Sequence, residues 1–379
     1  MRFAFALFLC LALTPLFAET IAPYPNAAAL DNISEEENRI WNEGEEFDEQ
    51  LKRSGLINSN DEVTKYVQGV MDKLFPEFDR KIRVQVLKSP YLNAFALPNG
   101  SIYINQGLLS RFENEAQLAT VLAHEGTHFT HRHGFHLQRT VKTASLVNLV
   151  TRLMGLPQLV ELVIISSMLG YTRELETEAD NEGYKRVVAA GYDVHETPKV
   201  FEHLVRELKA ADVKEPFFFS THPKLQDRVD NFKKLSEGTP DGGIVREPEY
   251  VEHVTDLRLA NLQNELTHGR SKHVLLALCD EERLSDYPPS VHYYIGEAYR
   301  LRGAQGDEVS AEIAYLKALE QAPNFAATYR ALGVLYLKQK DYAHAAPLFE
   351  KYLAMAPEAK DREYVVHYLE RAKNGGAPN

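Results

Sequence analysis

Cysteine is nearly absent from this chain: there are two among 379 residues, Cys10 and Cys279. Cys10 lies in a leader that export would remove, which leaves one thiol and no intramolecular disulfide. A chain of this size must then be held by its core. Positive balance is lacking as well. The formal net charge is −12, and loss of Arg2 with the leader would make the chain more acidic still. That argues against nucleic acid or an anionic membrane surface as the main partner. Membrane-spanning runs are also missing. Phe3 to Leu13 (FAFALFLCLAL) is apolar but too short to cross a bilayer. With Arg2 ahead of it and Ala18 closing a cleavage site, residues 1–18 read as a secretory signal. Residues 144–170 are rich in apolar side chains, yet Arg152, Pro157 and Glu161 interrupt them. They read as core helices or a lid over a cleft, or as a peripheral membrane contact.

What the chain does carry is His124-Glu125-Gly126-Thr127-His128. Two histidines four apart share one helix face, so both imidazoles can reach one Zn²⁺. Glu125, beside the first, can take a proton from an activated water. The preceding run, Glu113 to Ala123 (ENEAQLATVLA), is rich in helix formers and supplies the helical context.

The surrounding pattern is α+β. Ser34 and Glu37 form a capping box for a helix ending near Ser54 and Gly55. A second helix follows Asn60 or Asp61, burying Val63, Tyr66, Val67, Val70 and Leu74. Ile82, Val84 and Val86 alternate as in a half-buried strand. Asn93 to Leu97, Pro98-Asn99-Gly100 and Ser101 to Asn105 read as a hairpin. The compact part extends over 19–235, and Ser236 to Glu249 (SEGTPDGGIVREPE) reads as a linker. Over 250–379 the chain becomes a helical array. Tyr329, Leu332, Gly333, Tyr336, Ala345, Phe349 and Pro357 fit tetratricopeptide (TPR) spacing, and Ile295, Gly296, Tyr299, Ala311, Ala318 and Pro323 fit it one repeat earlier. The expected architecture is a mostly helical zincin core with a small sheet, followed by an all-α TPR solenoid.

A zinc hydrolase keeps three protein ligands and leaves one position for water. Tyr171 to Tyr184 (YTRELETEADNEGY) offers several acids for the third. On a helix, Glu174, Glu178, Asn181 and Lys185 share a polar face. Thr172, Glu176, Asp180, Gly183 and Val187 share one that turns apolar downstream. The second face points inward, which makes Glu176 the third ligand. Asp180, one turn on, can accept a hydrogen bond from a ligand histidine and fix its tautomer. His131, His133 and His136 read as structural or solvated residues, since zinc already has its three ligands.

These motifs resemble the gluzincin branch of metalloproteases that contains the CaaX prenyl endopeptidase and the heat-shock membrane protease. The resemblance rests on His124 to His128 followed by Glu176 and Asp180. It also rests on Asn93 to Gly100 with Ile102, Tyr103 and Gly107-Leu108-Leu109, and on His222-Pro223 followed by Arg228. The signal and the repeats narrow it to soluble periplasmic members of the β-barrel assembly-enhancing type. Gly126 departs from the family, which often carries a larger apolar residue there; a mid-helix Gly costs about 1 kcal/mol relative to Ala.

The resemblance implies one zinc ion per chain and Glu125 as general base. It also implies a strand at Ser101 to Asn105 lying at the sheet edge, where an extended substrate could pair. Arg228 and His222 could each stabilise a tetrahedral oxyanion; alternatively, His222 could close the open zinc position and hold the enzyme latent. The expected function is an exported endopeptidase acting on unfolded or misassembled envelope proteins in the periplasm. The outer-membrane β-barrel assembly machinery would be a partner through the repeats. The competing expectation is a non-proteolytic chaperone or adaptor that works through the repeats alone, against which an intact Glu125 speaks.

Overall fold

The computed structural model describes residues 22–140, 170–211, 225–278 and 284–375. The leader, most of the apolar stretch 144–170, His222 and Cys279 lie outside the described residues.

Local signals set the first elements. Ser34 caps helix α1 (Glu35–Ser54) by accepting the Glu37 N–H at 3.2 Å, and Gly55 ends it with φ +75°. Asn60 caps α2 (Asp61–Leu74) by accepting the N–H groups of Glu62 and Val63. Next come β1 (Arg83–Leu87), β2 (Ala94–Ala96) and β3 (Ser101–Asn105). The hairpin pairs β2 antiparallel to β3, with Phe95 opposite Tyr103. Gly100 turns it with φ +81°, where a side chain would also meet the Lys81 carbonyl. β1 pairs parallel to β3, with Val84 opposite Ile102. The order is therefore β1-β3-β2. The strand expected at the edge is central, and the edge on the hairpin side is β2. The parallel partner joins from the preceding unit, a pairing that no local signal announces.

A short helix, α3 (Gln106–Leu109), leads into α4 (Glu115–Thr130), which carries the histidine motif. Asn114 caps α4 by accepting the Gln117 N–H at 3.0 Å. Every residue of α4 is buried, so the core surrounds the helix. Its chain then turns at Arg132, with φ +59°, before α5 (His133–Thr140). Helix α6 (Arg173–Ala189) lies against α4, and α7 (Thr197–Ala211) and α8 (Leu225–Ser236) pack beside them. Contact between α4 and α6 is close at Gly183, where a Cβ would come within 3.1 Å of the Ala123 backbone. Among the described residues no helix is long and apolar enough to cross a membrane.

The expected linker, 236–249, belongs in part to this core. Ile244 bridges to Tyr192, and the Val245 carbonyl accepts the backbone N–H groups of Glu115 and Ala116, at 3.1 and 3.4 Å. Helix α9 (Glu247–Thr267) continues the core through Tyr250, Val254 and Leu257. A buried polar seam then ties it to the loop after α3. Arg111 pairs with Glu265 at 3.0 Å, and Arg258 donates to the Phe112 carbonyl at 2.8 Å. The boundary thus falls beyond α9's first turns, because polar composition concealed backbone bonding to the core.

After α10 (Ser271–Ala277) the chain forms helical pairs: α11 (Val291–Arg302) with α12 (Asp307–Gln321), then α13 (Ala326–Lys338) with α14 (Tyr342–Met355). Helix α15 (Arg362–Lys373) closes on α14. Each pair meets at a glycine facing an aromatic ring, Gly296 against Tyr315 and Gly333 against Phe349.

Candidate metal centre

His124 and His128 stand one turn apart on α4 and bring their Nε2 atoms within 3.0 Å of each other. From α6, Glu176 reaches both: Oε2 is 3.5 Å from His124 Nε2, and Oε1 is 3.4 Å from His128 Nε2. All three side chains are buried. Among the described residues, this is the one group of three or more whose donor atoms gather as metal ligands do. Around a tetrahedral zinc with bonds near ~2.0–2.1 Å, ligand atoms sit roughly 3.3 Å apart. The three observed spacings fall close to that value, and two imidazoles with one carboxylate are a zinc-type donor set. The residues present fit the ion.

The rear nitrogens of both histidines are held. His124 Nδ1 lies 2.8 Å from Asp180 Oδ1, one helical turn beyond Glu176. A proton on Nδ1 leaves Nε2 free as a ligand. Arg228 on α8 clamps the same carboxylate, with Nη2 at 2.6 Å from Oδ1 and Nε at 3.1 Å from Oδ2. Its guanidinium also covers the Phe201 ring at 4.2 Å. Arg228 Nη2 comes within 3.0 Å of His124 Nδ1. Both atoms are N–H donors once Nε2 faces a metal, so the bond that counts is the one to Asp180. The sequence reading offered Arg228 to an oxyanion. The structure sets its guanidinium behind His124, on the side away from Nε2.

On the other histidine, the Tyr171 ring stacks on His128 with centroids 3.9 Å apart and planes at 13°. His133 Nδ1 lies 2.9 Å from His128 Nδ1. Sequence reasoning missed both residues. His133 reads from the sequence as structural or solvated, whereas α4 ends at Thr130 and the turn at Arg132 brings His133 back to the site. Tyr171 precedes the cap of α6 and carries no pattern of its own.

Burial and the Arg228 charge push His124 down to about 3, despite the opposing pull of Asp180. Burial also pushes Asp180 upward, but Arg228 and the His124 N–H outweigh it and hold the carboxyl below the usual range. Neutral imidazole beside ionised carboxylate is the protonation state that ligation requires. Burial, with the nearby charges of Glu125 and Glu176, pushes the Tyr171 phenol well above its ordinary range, so it stays protonated beside them. Glu125 follows His124 on the motif helix and is fully buried.

Gly126 also has a structural reason. A Cβ there would come within 2.3 Å of the Phe75 ring, so the aromatic that follows α2 fills the volume a larger motif residue would take.

Residues 58–236 match Peptidase family M48. The chain is 30% identical over 209 residues to "Mitochondrial metalloendopeptidase OMA1" of Schizosaccharomyces pombe, an alignment covering 53% of this chain and 60% of that protein. The protein of the same name from Arabidopsis thaliana is 35% identical over 122 residues, 32% of this chain and 25% of its own length. The "Beta-barrel assembly-enhancing protease" of Escherichia coli is 22% identical over 231 residues, 57% of this chain and 47% of its own. The chain thus covers less than two thirds of each of these relatives.

Proposed function

We propose, from the match of residues 58–236 to Peptidase family M48, that the chain is a zinc-dependent endopeptidase. The observation that carries the proposal is the convergence of His124, His128 and Glu176 beside buried Glu125. A zinc ion held by His124, His128 and Glu176 would supply Lewis-acid polarisation of a peptide carbonyl and lower the pKa of a water. Glu125 accepts a proton from the attacking water through its carboxylate. It then delivers that proton to the amine nitrogen as the peptide C–N bond breaks. Asp180 keeps the His124 Nδ1 proton in place, and the Tyr171 stack restricts rotation of the His128 ring. An extended substrate would pair with β2 rather than with central β3, because β2 is the hairpin-side edge.

The substrates we propose are unfolded or misassembled polypeptides of the cell envelope, met in the periplasm after export. Support comes from the leader-like start of the sequence and from the similarity to an assembly-enhancing protease. We read the helical pairs over 284–375 as TPR-type repeats, on the strength of the Gly296–Tyr315 and Gly333–Phe349 contacts, and as the surface for a partner such as β-barrel assembly machinery.

The test is degradation of an unfolded model polypeptide by wild type and by Glu125→Gln, with bound zinc quantified in both. Cleavage by wild type alone, at equal zinc, is expected, with a loss of about 10²-fold or more in the variant. Comparable cleavage by both would remove Glu125 from the mechanism. A zinc-loaded wild type that cuts nothing would favour an adaptor.

A further inference from the structure

His128 has a partner that the proteolytic reading does not use. His133 opens α5 and is buried, and its Nδ1 points at the Nδ1 of His128 across 2.9 Å. Two nitrogens at that distance cannot both carry protons, so the pair holds one shared proton. If His133 donated it, the proton of neutral His128 would sit on Nε2, the atom that faces His124 and Glu176, and ligation would be blocked. If His128 donates it, Nε2 keeps its lone pair toward the ligand group, and the proton of His133 moves to its own Nε2. That Nε2 lies 3.4 Å from Glu178 Oε2, an electrostatic contact longer than a good hydrogen bond. The carboxylate favours the tautomer in which His133 accepts from His128.

We propose that His133, with Glu178 behind it, is a positioning residue of the metal centre, accepting the His128 Nδ1–H and thereby fixing the tautomer and ring angle of that ligand. The proposal rests on the reading of His124, His128 and Glu176 as zinc ligands. It gives each histidine its own acceptor, Asp180 for His124 and His133 for His128. The two differ in kind. Asp180 is buried and charge-compensated by Arg228, whereas Glu178 is about half exposed, its side chain retaining 48% of its accessible surface. The His133 side chain also packs near Tyr171, with ring centroids 6.0 Å apart, and Tyr171 is the ring that stacks on His128. The same ligand is therefore held on its face and at its rear nitrogen.

The experiment measures zinc affinity by competition with a chromophoric chelator, together with the unfolding temperature of the zinc-free protein, on the full chain. His133→Phe keeps a buried ring but offers no acceptor, and should bind zinc about 10–100-fold more weakly at a nearly unchanged zinc-free unfolding temperature. His133→Asn sets an amide oxygen where Nδ1 stood and should recover most of the loss. His133→Gln reaches only toward the Nε2 position and should not. A purely structural histidine would instead lower the zinc-free unfolding temperature and leave affinity alone. Wild-type affinity in His133→Phe would overturn the proposal; should that variant fail to fold, equal affinities for the Asn and Gln variants would do so. Either result leaves the zinc reading intact, whereas a wild type that binds no stoichiometric zinc overturns both.

Discussion

The carbonyl of Val245 accepts the backbone N–H of Glu115 at 3.1 Å, so the first turn of the motif helix is satisfied by a segment 130 residues further on. That link makes a prediction about truncation. A chain ending at residue 240 loses this bond together with the buried side chains of Tyr250, Val254 and Leu257. Each such side chain contributes about 1.5–3 kcal/mol, a large share of the ~5–15 kcal/mol by which domains are stable. The shorter chain should fail to fold or to bind zinc. A chain ending at Gly269 keeps α9 and should do both, although Leu262 and Leu266 lose their cover. Circular dichroism and zinc stoichiometry on the two chains decide it, and equal stability would show that the contacts around Val245 are incidental.

Gly126→Ala should be destabilising even though Ala is the better helix former. Propensity alone would add roughly 1 kcal/mol. Against it stands the Phe75 ring, 2.3 Å from the new Cβ, in a side chain only 2% exposed and flanked by Phe78 and Arg186. Overpacking of that kind costs about 1–3 kcal/mol. Phe75→Leu in the same chain should relieve the clash, so the double variant should be more stable than the sum of the two single effects. Strict additivity in a denaturation cycle would refute the contact.

Much of this arrangement is legible in the sequence where the information is periodic. The four-residue spacing of His124 and His128 and the inward face of Glu176 and Asp180 both follow from helix geometry, and the structure gathers those four residues. The hairpin was readable from Pro98-Asn99-Gly100. What escaped depends on the third dimension. The central position of β3 comes from a parallel partner whose pairing has no local signature. The role of His133 escapes the sequence because a left-handed turn at Arg132, four residues past the motif, breaks the helical register. Residues 236–249 look like a linker in composition, yet they bond to the core through main-chain atoms, which composition does not encode.

The buried histidines make the zinc-free protein acid-sensitive. His124 is pushed to about 3 and His133 to about 2, against an ordinary 6.5. Over that interval the unfolded chain binds protons that the folded chain refuses, so stability falls as pH drops below 6.5 and continues to fall toward the folded values. Each group contributes at most about 1.4 kcal/mol per pH unit. Denaturant midpoints of chelator-treated protein should decrease from pH 7 to pH 5, and His133→Phe should flatten the slope. An unchanged midpoint over that interval would mean that neither imidazole is shielded as described.

Arg228→Gln separates a brace from an oxyanion donor. In the structure the guanidinium spans both oxygens of Asp180, and both side chains are buried. Removing it leaves a buried carboxylate without its compensating charge, a loss of about 3–5 kcal/mol in such pairs. Asp180 would then be a poorer anchor for the His124 Nδ1–H, and zinc affinity should fall about 10–100-fold, as for other outer partners of ligand histidines. Turnover measured at saturating zinc should be reduced far less than affinity, because no donor to the reacting carbonyl has been removed. The oxyanion role makes the opposite demand: unchanged zinc affinity with turnover down by about 10²–10³-fold. Zinc titration and turnover on the one variant therefore distinguish the two, and the position of Arg228 behind His124, on the far side from Nε2, favours the first outcome.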